Sequence, residues 1–121
     1  YFESFVEFHD AQHPDVFWAG EKLLDAKDKF RIHIVTENEE VIGSVVTSRQ
    51  TEEIYFISVA KHKQGLGYEK ALLLQAVQDA FENGGEELLA MVERGNLSEI
   101  NLFKKLGFQV TDTCLTYKIR L

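Results

Sequence analysis

The stretch of this sequence richest in chemistry is Lys61-His62-Lys63-Gln64-Gly65-Leu66-Gly67, which runs directly into a helical pattern at Tyr68. Glycines at this spacing let backbone amides turn toward a ligand, a helix start contributes partial positive charge, and the lysines add more. A phosphate or pyrophosphate group suits such a loop, so Lys63, Gln64, Gly65, Leu66, Gly67 and Tyr68 are candidate anion-binding positions. Two nucleotide motifs do not fit the same glycines. A dinucleotide fingerprint requires a third glycine where the chain has Lys70, and a nucleotide P-loop requires Gly-Lys followed by Ser or Thr, whereas Tyr68 and Glu69 follow Gly67.

Other reactive side chains carry less. His9 and His13 stand one helical turn apart beside Asp10, but no third ligand is indicated and Pro14 breaks the helix there, so no metal site is expected. Cys114 sits in an alternating strand near Tyr117, the setting of a packed thiol. Phe17 and Trp18 read as core or pocket wall, and Glu37 to Glu40 as a solvated hairpin tip.

The elements that must position the loop follow from periodicity. Phe2, Phe5, Val6 and His9 recur at helical spacing up to about Gln12 or His13, and a second short helix follows Gly20 with Leu23 and Leu24 inward. From Phe30 the period becomes two, with Ile32 and Ile34, then Val41 and Val45, on either side of the acidic turn. After a turn at Arg49 to Glu52, the run Ile54 to Ala60 is apolar almost throughout, as in a central strand covered on both faces. The loop comes next, then a long helix carrying Ala71, Leu72, Leu74, Ala76, Val77 and Phe81, which stops at Asn83-Gly84-Gly85. Glu87 to Glu93 is a strand parallel to the central one, Ser98 to Leu106 a short helix ended by Gly107, and Phe108 to Val110 with Leu115 to Leu121 a closing hairpin. The expected fold class is α/β with a mixed sheet.

Composition bounds the function. The chain has 121 residues, 45% of them hydrophobic, enough for a core and inconsistent with disorder. Lys and Arg total 13 against 20 Asp and Glu, a net charge of −7, which disfavours nucleic acid and favours small cationic partners. No apolar run approaches the roughly 20 residues of a membrane span. The longest candidate, Ala71 to Phe81, is interrupted by Gln75, Gln78 and Asp79, so a soluble protein without membrane contact is expected. A single cysteine forms no internal disulfide, and a reducing cytoplasm is the default compartment.

Two signatures in order resemble the GNAT superfamily of N-acetyltransferases. One is the Arg/Gln-x-x-Gly-x-Gly/Ala loop between a central strand and helix, matched here by His62-x-x-Gly65-x-Gly67. The other is an Asn before a short helix ending in Tyr-x-x-x-Gly-Phe, matched by Asn96 and by Phe103-Lys104-Lys105-Leu106-Gly107-Phe108. The likeness covers Phe30 to Leu121, and the N-terminal helices are compatible with that family's variable first helices. It implies a mixed, mostly antiparallel sheet with a central parallel β-α-β unit and flanking helices. Residues 1–121 are then one domain lacking the family's usual first strand, and, since Tyr1 is no initiator, part of a longer polypeptide.

The resemblance also implies acetyl-CoA as cosubstrate, held against the splayed ends of two parallel strands, with a primary amine of a small molecule or peptide attacking the thioester directly. Glu53 and then Tyr55 are the candidates to take the amine's proton. By the period-two rule they share one strand face with Ile57 and Val59, which would border the cosubstrate, the amide near Val59 stabilising the oxyanion. His62 and the loop would hold the pyrophosphate, and Asn96 the pantetheine arm. Phe103 stands where the family has the tyrosine that protonates the departing thiolate, and it has no proton to give. Slower turnover, or a catalytically silent module that binds an acyl-CoA or a partner domain, follows from that substitution. A homodimer or contact with a preceding domain is the implied assembly.

Overall fold

The computed structural model describes residues 1–91, 97–110 and 116–120. Helices α1 (Phe2–Gln12) and α2 (Gly20–Asp25) lead into strands β1 (Phe30–Glu37), β2 (Glu40–Ser48) and β3 (Glu53–Val59). A 3₁₀ turn (Lys61–Lys63) and helix α3 (Tyr68–Glu82) connect to β4 (Glu87–Met91), followed by α4 (Leu97–Lys105), β5 (Gln109–Val110) and β6 (Thr116–Arg120). The strands form one sheet in the order β1-β2-β3-β4-β6-β5. Among the described residues only β3 and β4 are parallel, joined across α3, and the other pairings are antiparallel. The mixed α/β sheet and the strand-helix-strand unit are those expected.

Each sheet face buries its own cluster. On one, Val45, Ile54, Val59, Leu88 and Ala90 meet Leu72, Leu73, Ala76 and Ala80 of α3 and Phe103 of α4. On the other, Phe30, Val41 and Val46 meet Phe5 of α1 and Leu23 of α2, with Trp18 and Phe56 packed alongside. Polar ties fix the outer helices: Ser4 Oγ accepts from Val41 N at 2.8 Å, and Asp10 Oδ1 accepts from Gly20 N at 2.8 Å. Gly20 lies so close to α1 that a Cβ there would stand 2.9 Å from Val6 Cα, too near for any side chain. On the far side His33 pairs with Asp79, joining β1 to α3, and Arg31 pairs with Glu52.

The face that α3 buries differs from expectation. Leu72, Leu73, Ala76 and Ala80 point inward, whereas Leu74 and Phe81 are exposed. Among the described residues no helix is long and apolar enough to cross a membrane. Cys114 lies outside the described residues.

Leu73, which is 0% exposed, and its neighbour Leu74, which is 46% exposed, provide a direct check on this orientation. Leu73→Ala should cost about 2–5 kcal/mol of unfolding free energy, by lost transfer and cavity terms together. Leu74→Ala should change it by about 0.5 kcal/mol or less. Urea denaturation of the two variants measures the difference, and equal costs would contradict this helix orientation.

Candidate active site

The site is built along the central strand β3. β3 and β4 pair at Glu53↔Leu89 and Ile54↔Ala90, reinforced by Leu89 N donating to Glu52 O at 2.9 Å, and residues 92–96, which follow β4, lie outside the described residues. On its other side β3 carries a β-bulge. The β2 register runs Val46↔Phe56 and then Thr47↔Ile54, so Tyr55 has no partner and the strand bends there. From Phe56 to Val59, β3 is laddered to β2.

The bulge corrects one expectation about the site. Glu53 and Tyr55 do not share a face with Ile57 and Val59. Ile54, Ile57 and Val59 all belong to the α3 cluster, which is possible only because the extra residue shifts the alternation by one. Glu53 therefore takes the face opposite Ile54, the side of α1 and α2. Tyr55 stands on that side too, its ring 5.5 Å from the ring of Phe30, with Phe56 in the same cluster.

At its far end β3 runs into the glycine loop. Gly65 and Gly67 both have positive φ, +79° and +91°, and a Cβ on either would meet nothing within 4 Å. Both are thus needed for backbone conformation, and both leave open space in front of the loop. Gly67 is the N-cap of α3 and offers no side-chain cap, so the first-turn amides of Tyr68, Glu69 and Lys70 lack helical acceptors. His62, Gly65, Leu66 and Gly67 are exposed, and Tyr68 is half-buried against the α3 cluster.

Two loop side chains are engaged within the protein. Gln64 Nε2 donates to Val59 O at 3.3 Å, folding back over the end of β3. Lys63 Nζ lies 2.6 Å from Glu37 Oε1 at the β1 tip, and that hydrogen bond raises the ammonium's pKa. Its charge is matched before any ligand arrives. Phe103 is 1% exposed and packs with Phe108, ring centroids 5.0 Å apart, so its ring belongs to the core under α4. Asn96 lies outside the described residues.

The α1 side of β3 holds residues that sequence reasoning did not connect. His13, just after α1, puts Nε2 3.2 Å from Ser58 Oγ, and its ring is 4.8 Å from Phe56 and 5.1 Å from His9. His9 is fully buried and its Nε2 donates to Trp18 O at 2.9 Å. Ser44, directly opposite Ser58 in the register, is also fully buried. A signal was present: Ser58 is the single small polar residue in the apolar run Ile54 to Val59. Of the two aromatics between the helices, Trp18 is packed against Phe30 at 4.9 Å and Phe17 is exposed. An apolar groove of about 680 Å³ lies elsewhere, between α1, α2 and β1, lined by Phe5, Leu24, Phe30, Ile32 and Ile34 among others.

Burial, and then the neighbouring His9, lower the pKa of His13 from 6.5 to about 4. The native state consequently binds fewer protons than the unfolded chain below pH 6.5, and this part of the stability is present above that pH and lost between about 6.5 and about 4. Unfolding free energies from urea titrations between pH 7 and pH 4 should fall with a slope from this group of at most about 1.4 kcal/mol per pH unit. His13→Gln should remove that component, and an unchanged profile in the variant would contradict the burial of the ring.

Comparisons with known proteins bear on the fold and the family. The acetyltransferase (GNAT) family model matches residues 1–108. A mycothiol acetyltransferase from Saccharomonospora viridis is 33% identical over 69 residues, which is 57% of this chain and 22% of that protein. This chain thus spans only a minor part of the length of the curated relatives it matches. The PaiA N-acetyltransferase of Thermoplasma acidophilum superposes with a TM-score of 0.79 at 18% identity, covering 99% of this chain and 92% of that one. The ribosomal-protein-S18-alanine N-acetyltransferase of Escherichia coli gives 0.78 at 17% identity, covering 98% and 86%. With the family model spanning nearly the whole sequence, the chain belongs to the GNAT acetyltransferase family.

Proposed function

We propose that this chain transfers the acetyl group of acetyl-CoA to a primary amine of a small molecule or peptide by direct attack on the thioester. The observation that carries the reading lies at the end of β3, which runs into a loop whose glycines open toward the start of α3. An extended arm with amide groups would lie along the edge of β3 opposite β2, beside Ile57 and Val59, and pair with backbone groups there. A diphosphate suits the amides from Gly65 to Tyr68 and the cationic neighbourhood of Lys61 and His62. The coenzyme A complex of the Thermoplasma acidophilum neighbour supports the same cosubstrate.

The acceptor comes from the α1 side. An alkylamine arrives protonated at neutral pH, since its pKa is about 10, and must lose a proton before it attacks. Glu53, on that side at the start of β3, is the proposed acceptor of this first proton, with Tyr55 beside it. The oxyanion that forms would be met by the backbone amide near Val59. The chain's negative charge favours approach of a cation.

A second reading has one specific observation in its favour. Phe103 is buried and carries no hydroxyl, so a module that binds acyl-CoA without turnover is the alternative. Isothermal titration with coenzyme A and thiol release from acetyl-CoA over an amine panel separate the two. Binding with turnover is expected, binding without turnover selects the silent module, and no binding at millimolar coenzyme A would overturn both. Gly67→Ala should weaken coenzyme A binding about tenfold, because a left-handed conformation costs an L-residue about 1–2 kcal/mol. Glu53→Gln should lower kcat about 10²-fold near pH 7, and the deficit should close as pH nears the amine's pKa.

A further inference from the structure

Acetyl transfer to an ammonium group moves two protons, and Glu53 accounts for only the first. Once the free amine has attacked, its nitrogen is again positively charged and must give up a second proton, while the departing thiolate must gain one. Phe103 cannot supply it. The α1 side of β3 holds a pair of groups able to do so. Ser58 lies on β3 beyond the bulge, opposite Ser44 of β2. Its neighbours Ile57 and Val59 turn toward α3, so its hydroxyl lies on the side from which the acceptor comes. His13 Nε2 is 3.2 Å from that hydroxyl. Both residues are half-buried, sheltered by Phe56 yet reachable.

We infer that Ser58 and His13 shuttle the second proton from the acceptor nitrogen to the departing sulfur, an inference that rests on the acetyl-transfer reading above. The amine forms its C–N bond to the thioester carbon and the carbonyl electron pair moves to oxygen. The charged nitrogen then gives a proton to Ser58 Oγ as Ser58 passes its own to His13 Nε2. The oxygen pair re-forms the carbonyl, and the C–S bond breaks with its electrons on sulfur. His13 returns the proton through Ser58 to the thiolate. The products are the N-acetyl amide and the coenzyme A thiol, and both side chains regain their starting state.

The surroundings of the pair suit this cycle. At neutral pH the ring is uncharged, because burial and His9 lower its pKa to about 4, so it holds the passing proton only transiently. Once protonated it is a far stronger acid than a thiol of pKa about 8.5, so return to sulfur is downhill. The titratable group facing it from α1 is His9, whose Nε2 proton is committed to Trp18 O, and β3 brings the uncharged Phe56 and Ser58. Asp10, next along α1, is held by the amide of Gly20.

The test is steady-state acetyl transfer from acetyl-CoA to a primary amine that the parent chain accepts, from pH 6 to pH 10. His13→Gln and Ser58→Ala are each expected to lower kcat about 10²-fold at every pH, with the KM for acetyl-CoA within about twofold of the parent. Ser58→Thr, which keeps the hydroxyl, should recover most of the rate. The absence of rescue at high pH separates this step from that of Glu53→Gln. Parent-like kcat in both His13→Gln and Ser58→Ala, or a loss that disappears at high pH, would overturn the shuttle and leave acetyl transfer standing. If His13→Gln fails to fold by circular dichroism, the Ser58→Ala and Ser58→Thr pair decides on the same criteria. A parent chain that binds coenzyme A and acetylates no amine would remove both proposals.

Discussion

The register of a strand decides which side chains reach which face, and in this protein one extra residue in a central strand resets it. β3 is laddered to β2 along most of its length and pairs with β4 at Glu53 and Ile54. The extra residue at Tyr55 bends the strand there. The neighbouring elements are arranged around this strand. α3 packs on one face of β3 through Ile57 and Val59, α1 lies across the other near Phe56 and Ser58, and the glycine loop continues from the strand's end. Because these neighbours are packed helices and strands, the side chains along β3 are held in place.

Electrostatics are distributed with the same economy. The chain as a whole is acidic, and the loop that faces an expected anion is basic, yet Lys63 is already matched by Glu37. The attraction for a phosphate group then comes chiefly from Lys61, from His62 and from backbone amides whose orientation is set by Gly65 and Gly67. On the acceptor side the buried groups are neutral polar ones. His9 Nδ1 and Ser44 Oγ are enclosed with no hydrogen-bond partner among the described residues. Unpaired polar atoms in a core weaken it, and their concentration beside Ser58 marks a region shaped for something other than packing.

Much of the fold was legible because its signals are local. Alternation predicted β1 and β2, the apolar run predicted β3, and the glycines at 84, 85 and 107 marked helix ends. The loop from Lys61 to Gly67 announced itself by residue type alone. Where the reading went astray, a long-range contact had intervened. Strict alternation placed Glu53, Tyr55, Ile57 and Val59 on one face, and the bulge against β2 divided them. On α3 the apolar residues exceed what one face can bury, so composition could not say that Leu73 would be inside and Leu74 outside. His13 was visible only as a neighbour of His9, because its partner Ser58 lies 45 residues away.

The amino-acid order by itself determined the chain's periodicities, its turns, its charge and the glycine loop, since these depend on residues within a turn or two of one another. It also carried the family resemblance, because the loop glycines and the helix ending in Gly107-Phe108 are short contiguous patterns. Tertiary structure alone decided which face each side chain of β3 takes, that Lys63 meets Glu37, and that His13 meets Ser58. Those outcomes depend on register between strands and on helix placement across them, and a one-residue change in register reverses every side chain beyond it.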